Sequence, residues 1–168
     1  MDERIELLLG VLDRAYDRKS WHGTNLRGSV RGMGLEEAAW RPGEGRHNAW
    51  EVAVHAAYWK YAVWRRLTGA PRGSFPLAGS DWFGRPEPGR ATAAAWKADL
   101  DLLAAVHRDL RAAVAGLDPA VLGRPADGGR TTVADLVTGA AAHDLYHAGQ
   151  IQLLKRLYPG RSDGSIGG

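Results

Sequence analysis

Cysteine is absent from all 168 residues. Disulfides, thiolate metal ligands and a covalent intermediate on a protein thiol are thereby excluded. A metal site in this chain must be built from histidine, carboxylate or solvent. Long apolar runs are missing as well: no stretch approaches the roughly 18 consecutive apolar residues that a membrane span needs. The opening residues Met1-Asp2-Glu3-Arg4 are charged and lead straight into an amphipathic pattern, unlike a signal peptide. A soluble, cytoplasmic protein is expected. Nor is there a basic run. The sequence pI is about 9.4, but the formal net charge is only +3. The arginines, such as Arg65-Arg66, Arg108, Arg111, Arg124 and Arg130, are spread among acids with no nucleic-acid-binding motif. No nucleic-acid partner is expected.

What is present is helical periodicity. With 45% hydrophobic residues, the chain can bury one core. It reads as a single domain over 1–160, followed at 161–168 by a polar, glycine-rich tail. Four long helices are predicted and no strand. The first, over 3–19, carries Ile5, Leu8, Leu9, Leu12 and Tyr16 on one stripe. The second starts at Asn48-Ala49-Trp50-Glu51, a capping box, and ends at Gly69 and Pro71. The third follows the row Trp96, Leu100, Leu103, His107, Leu110, Val114, Leu117, closed by Asp118-Pro119. The fourth is capped at Thr132 and stopped by Pro159-Gly160. Between the first two lies a broken stretch with a short helical turn at 35–40. Between the second and third, 70–90 has no periodicity. Extended, that connection could span about 65 Å, against about 33 Å for a long helix, so the two helices it joins need not be antiparallel neighbours. The expected fold is all-α, a four-helix bundle with long crossover connections.

Near the end of the fourth helix stand His143 and His147, one turn apart on one face. They are in line with Val133, Leu136, Val137, Ala140, Ile151 and Leu154, the residues that must face the core. Two stacked inward imidazoles each need a polar partner in a dry interior, and a divalent metal would serve both. The spacing alone leaves metal binding and hydrogen-bonded core histidines equally open. His55, in the apolar run Val52-Ala53-Val54-His55-Ala56-Ala57, has the same need. One histidine from the second helix and an i, i+4 pair from the fourth would give three nitrogens, with a coordination position left open for water or substrate. His47 lies about 12 Å along the axis from His55, too far to share its metal. His107 is read as a core histidine, and His22 is not placed by its spacing. Of the tryptophans, Trp50, Trp59, Trp64 and Trp96 are expected to fill the bundle. Trp21, Trp40 and Trp82 could line a pocket mouth.

Three segments resemble the DinB-like (damage-inducible) four-helix-bundle metalloproteins. They are Trp21-His22-Gly23-Thr24-Asn25-Leu26; the stretch 45–55 around His47-Asn48-Ala49-Trp50-Glu51; and His143-Asp144-Leu145-Tyr146-His147-Ala148-Gly149-Gln150, continuing to Lys155. The resemblance covers nearly the whole chain. It implies a divalent metal, zinc or nickel, on His55, His143 and His147. It also implies a small-molecule substrate and chemistry like that of the family's mycothiol- and bacillithiol-dependent transferases and maleylpyruvate isomerase. The metal would then activate a low-molecular-weight thiol for transfer or isomerisation. Alternatives are a metal-dependent hydrolase and a non-catalytic, metal-stabilised binding bundle. By the same resemblance, His22 and a loop tryptophan, Trp21 among them, are expected at the cavity over the metal. Gln150, one turn past His147, is expected near a metal-bound ligand. Asp144 is expected at the surface or behind the ligands, Tyr58 and Tyr146 in the core. Glu51 could orient His55, although the capping box already accounts for it. The chain as read leaves the general base unassigned and the oligomeric state open, a homodimer through a helix face included.

Overall fold

The computed structural model describes residues 1–126 and 128–160; the expected tail at 161–168 lies outside them. Six α-helices and one 3₁₀ turn make up the regular structure, with no strand among the described residues. The long helices are α1 (Glu3–Tyr16), α4 (Ala49–Thr68), α5 (Ala93–Ala115) and α6 (Val133–Leu157). Two single-turn helices, α2 (Leu26–Val30) and α3 (Leu35–Ala39), sit in the first connection, and the 3₁₀ turn is Pro119–Val121. Among the described residues no helix is long and apolar enough to cross a membrane.

Short polar side chains start each long helix by taking an orphan backbone N–H. Asp2 accepts from Arg4, Asn48 from Glu51, Thr92 from Ala95 and Thr132 from Asp135. At Asn48 the box is closed, since the Glu51 carboxylate reaches back to the Asn48 N–H. Gly69 ends α4 at φ 70°, the left-handed conformation glycine adopts without strain. The α1 stripe of Ile5, Leu8, Leu9, Leu12 and Tyr16 is buried as its periodicity demands. The helix stops three residues short of the expected end, where Asp17 and Arg18 both bond back to the Asp13 carbonyl.

α4 packs on α5 and α6, and α1 packs on the same two helices, so the contacts close a ring. Side-chain pairs fix the directions. Trp50 meets Asp99 and Lys60 meets His107, so α4 and α5 run parallel. His55 meets His147, and Lys60 meets Asp144 further along α4, so α4 and α6 are antiparallel. Asp13 meets Arg111 and Tyr16 meets His107, so α1 and α5 are antiparallel. Two parallel neighbours cannot be joined by a tight turn. The connection 69–92 therefore has to travel back along α4, which is about 30 Å long. That need accounts for its length.

The core is in two parts. One holds Trp50, Val54, Tyr61, Phe75, Phe83, Trp96, Leu103 and Ile151; the other holds Leu8, Leu12, Val63, Leu110, Val114, Leu136 and Val137. At the boundary lies a polar layer: Lys60 at 1% exposure, Asp144 at 0%, His107 and Tyr16. The Lys60 ammonium donates to Asp144 Oδ2, lies 3.2 Å from His107 Nδ1 and sits over the Tyr16 ring. Asp144 is thus not at the surface. Its carboxylate leaves α6 about 100° round from the neighbouring His143 ring and pairs with a lysine no periodicity had singled out.

Candidate metal centre

His55 enters from α4, His143 and His147 from successive turns of α6. The antiparallel crossing brings their rings together: Nε2 of His143 lies 3.2 Å from Nε2 of His55 and 3.0 Å from Nε2 of His147. The ligand atoms of all three fall within 4.8 Å of one another and could hold a metal ion. His55 and His147 are buried, and His143 is half-buried.

The outer nitrogens are held from behind. His55 Nδ1 lies 2.8 Å from the backbone carbonyl of Asp81, and His147 Nδ1 lies 2.7 Å from Gln150 Oε1. Those oxygens only accept, so each Nδ1 carries the ring proton and each Nε2 presents a lone pair. Both lone pairs point at His143 Nε2, and a neutral His143 can offer at most one N–H there. Hence at least one nitrogen–nitrogen contact sets lone pair against lone pair. Protonating the rings does not relieve it, because burial holds all three below their ordinary value near 6.5. His143 falls to about 3 through burial and the adjacent His147 and His55; His147 falls to about 4 through burial, with Gln150 working the other way; His55 is lowered by burial. Three neutral donors converging on one point fit a divalent cation.

Above them opens a cavity of about 450 Å³, lined by the three histidines, Trp59, Asp81, Trp82, Tyr146 and Gln150. The connection 69–92 forms its roof. Asp81 holds a left-handed backbone at φ 67° and accepts the Trp59 indole N–H on Oδ1 at 2.8 Å. Trp82 is stacked on both faces, against His55 at 3.9 Å and His47 at 3.7 Å between ring centroids. His47 in turn reaches Glu51, which Arg41 grips with two hydrogen bonds. Glu51 also accepts from the Arg85 backbone N–H, so it anchors both loops rather than orienting His55.

Of the residues expected around the site, His55, His143, His147 and Gln150 come together. Trp21 and His22 do not join them. Trp21 is 96% exposed, and His22 borders a separate pocket with Leu145, Ala148, Gly149 and Gln152 on another face of α6. The reason is local: Asn25 caps α2 through Oδ1 and donates its Nδ2–H to the Arg18 carbonyl, which turns the 20–25 loop outward. Trp40 packs on Tyr158 instead. The loop tryptophan at the cavity is Trp82. Trp59 and Tyr146, expected as bundle filling, stand 40% and 64% exposed at the mouth. Their positions were legible: Trp59 is one turn past His55 and Tyr146 one turn from His143, so each shares a face with a ligand. Asp81 carried no such signal, lying in an aperiodic stretch.

The depressed histidines set an acid dependence. His107 is also held low, to about 3, by burial and then Lys60. A buried histidine whose folded pKa lies below 6.5 stays neutral while its unfolded counterpart takes a proton. The unfolded state then binds more protons, and stability falls as pH drops from about 6.5 toward 3. Asp144 runs the other way between 3.8 and about 6, because burial raises it, yet it is one group against four. Urea midpoints of metal-free protein should fall from pH 7.5 to pH 5. A flat profile over that interval would contradict the neutral-histidine assignment.

Residues 19–151 match a family described as the DinB superfamily. That is well over half of the chain. Among curated proteins and among solved structures no match is found.

Proposed function

The chain belongs to the DinB superfamily, and on that premise we propose that it is a divalent-metal enzyme acting on a small-molecule thiol, by S-transfer or a related isomerisation. The observation that carries this reading is the convergence of three Nε2 atoms, two of them on rings, His55 and His147, whose Nδ1 protons are already taken up by Asp81 and Gln150. His55, His143 and His147 would hold zinc or nickel. The ion would supply Lewis acidity, lowering the pKa of a sulfur or oxygen ligand at neutral pH. The protein's part is orientation and exclusion of water. Asp81 and Gln150 fix the tautomers of His55 and His147, Trp82 is wedged between His55 and His47, and Trp59 with Tyr146 narrows the approach. With no cysteine in the chain, the sulfur comes from outside. The cytoplasmic location expected from the sequence belongs to the same proposal.

Metal-assisted hydrolysis is the second reading. The lining favours sulfur, since aromatic walls give it polarisable contacts. The one carboxylate at the mouth, Asp81, already accepts from Trp59. Cobalt-substituted protein decides between the two. A low-molecular-weight thiol at millimolar concentration is expected to add a sulfur-to-cobalt charge-transfer band. Unchanged spectra with mycothiol, bacillithiol and simple alkyl thiols would move the assignment to hydrolysis or to a non-catalytic metal bundle.

A further inference from the structure

The mouth over the three histidines carries an unbalanced charge. Its lining includes one carboxylate, Asp81, and among the described residues no lysine or arginine. The Asp81 side chain is half exposed, and its recorded partners are the Trp59 indole N–H and the His55 ring, 3.3 Å away. Among the described residues no ammonium or guanidinium is recorded in an ion pair with it. The left-handed backbone explains how one residue faces two ways. Its carbonyl turns down to His55 Nδ1 at 2.8 Å, while its carboxylate, with Oδ1 3.3 Å from the same nitrogen, accepts from Trp59 and stands half exposed at the rim. Aspartate and asparagine are the non-glycine residues that enter this region most readily.

Building on the thiol reading above, we propose that this mouth selects ligands by charge, admitting a neutral or cationic body beside the donor atom and disfavouring acidic ones, with Asp81 as the selecting residue. An anionic donor directed at the histidines would be matched by the cation they could hold. A second anion on the same ligand would find only a carboxylate and aromatic rims. An ammonium in that place would find the Asp81 oxygen, and a hydroxyl could donate to it. Because Asp81 is half exposed, each charge contact is worth roughly a factor of 3. Ammonium and carboxylate tails should therefore differ by about tenfold.

The test uses cobalt-loaded full-length protein at low salt and ligands of matched length. Cysteamine, 2-mercaptoethanol and 3-mercaptopropionate are titrated by their absorption spectra. Three hydroxamic acids with ammonium, hydroxyl and carboxylate tails follow, since these bind metals whatever the reaction class. Each ratio of dissociation constants is then remeasured in Asp81→Asn, which keeps the left-handed backbone and an acceptor for Trp59 but removes the charge. Comparing the same ligands on two proteins cancels their intrinsic differences in metal affinity. The ammonium-over-carboxylate preference is expected to shrink by about tenfold in Asp81→Asn. A preference equal in the two proteins, or a carboxylate tail bound more tightly by wild type than by the variant, overturns the inference. If no thiol gives a sulfur band while the hydroxamates show the shift, the thiol reading fails and the charge selection stands. If neither series binds, both fail.

Discussion

His143→Ala protein is expected to bind zinc or nickel at least about 100-fold more weakly than wild type in equilibrium dialysis. Loss of a partner that merely supports a ligand typically costs about 10–100-fold in metal affinity, and loss of the ligand itself must exceed that. His143 is the residue both other nitrogens face, at 3.2 and 3.0 Å, so its removal leaves two donors from different helices. His55→Ala and His147→Ala should fall in the same class. His47→Ala should not, because His47 reaches the ligands through the stacked Trp82 ring and is not itself one of the converging nitrogens. A second readout follows from linkage. At free metal 100 times its dissociation constant, wild type gains about 2.7 kcal/mol of stability. His143→Ala should gain almost none, so chelator should lower the melting temperature of wild type alone. The metal-free variant should be folded, since the substitution removes a desolvated imidazole from a lone-pair conflict. Stoichiometric metal retained by His143→Ala would refute the site.

The contrast between His55 and His22 shows what sequence can and cannot place. His55 lies in a helix whose start is fixed by the Asn48 capping box and whose apolar run fixes its inward face. Once α6 is known to be helical, the i, i+4 pair His143 and His147 is fixed relative to its own core stripe. Local rules suffice for each helix, and the buried imidazoles' need for a partner joins them. His22 lies six residues past the end of α1, and its direction depends on which hydrogen bonds the loop makes: Asn25 to Arg18 settled it outward. The same limit hid Asp81 and Trp82. Their placement comes from the parallel run of α4 and α5, which obliges the connection to return over the site, and from pairs distant in sequence, Arg85 with Asp99 and Glu87 with Arg41. Lys60 was hidden differently. A lysine on an otherwise apolar helix normally extends to solvent, and Asp144, 84 residues away, with His107 and Tyr16, explains why this one does not.

That lysine carries the largest expected effect on stability. Lys60→Met should cost about 3–5 kcal/mol at pH 7, the usual penalty for leaving a buried charge without its partner. Against a total of roughly 5–15 kcal/mol for a domain, this approaches the threshold for staying folded. Asp144 is fully buried, and its Oδ1 has no hydrogen-bond partner, so Oδ2 is the only oxygen now satisfied. Removing the ammonium leaves both bare. Adding Asp144→Leu should restore most of the loss, because apolar replacement of a whole buried pair is often neutral or favourable. A residue of about 1 kcal/mol should remain from His107 Nδ1, which loses its neighbour in both variants. The single variant should also respond to acid differently from wild type. Burial raises Asp144 to about 6 from its ordinary 3.8, and Lys60 is the group that opposes the rise. Without Lys60 the carboxyl titrates higher still. A folded-state pKa above the unfolded one means that the native state takes up the extra proton, so the deficit of Lys60→Met should shrink as pH falls from 7 toward 4. Urea denaturation of wild type, the single and the double variant at pH 7 and pH 5 reads all three expectations. A single variant within about 1 kcal/mol of wild type at pH 7, or a double variant no more stable than the single, would show that the buried pair is not what holds this layer together.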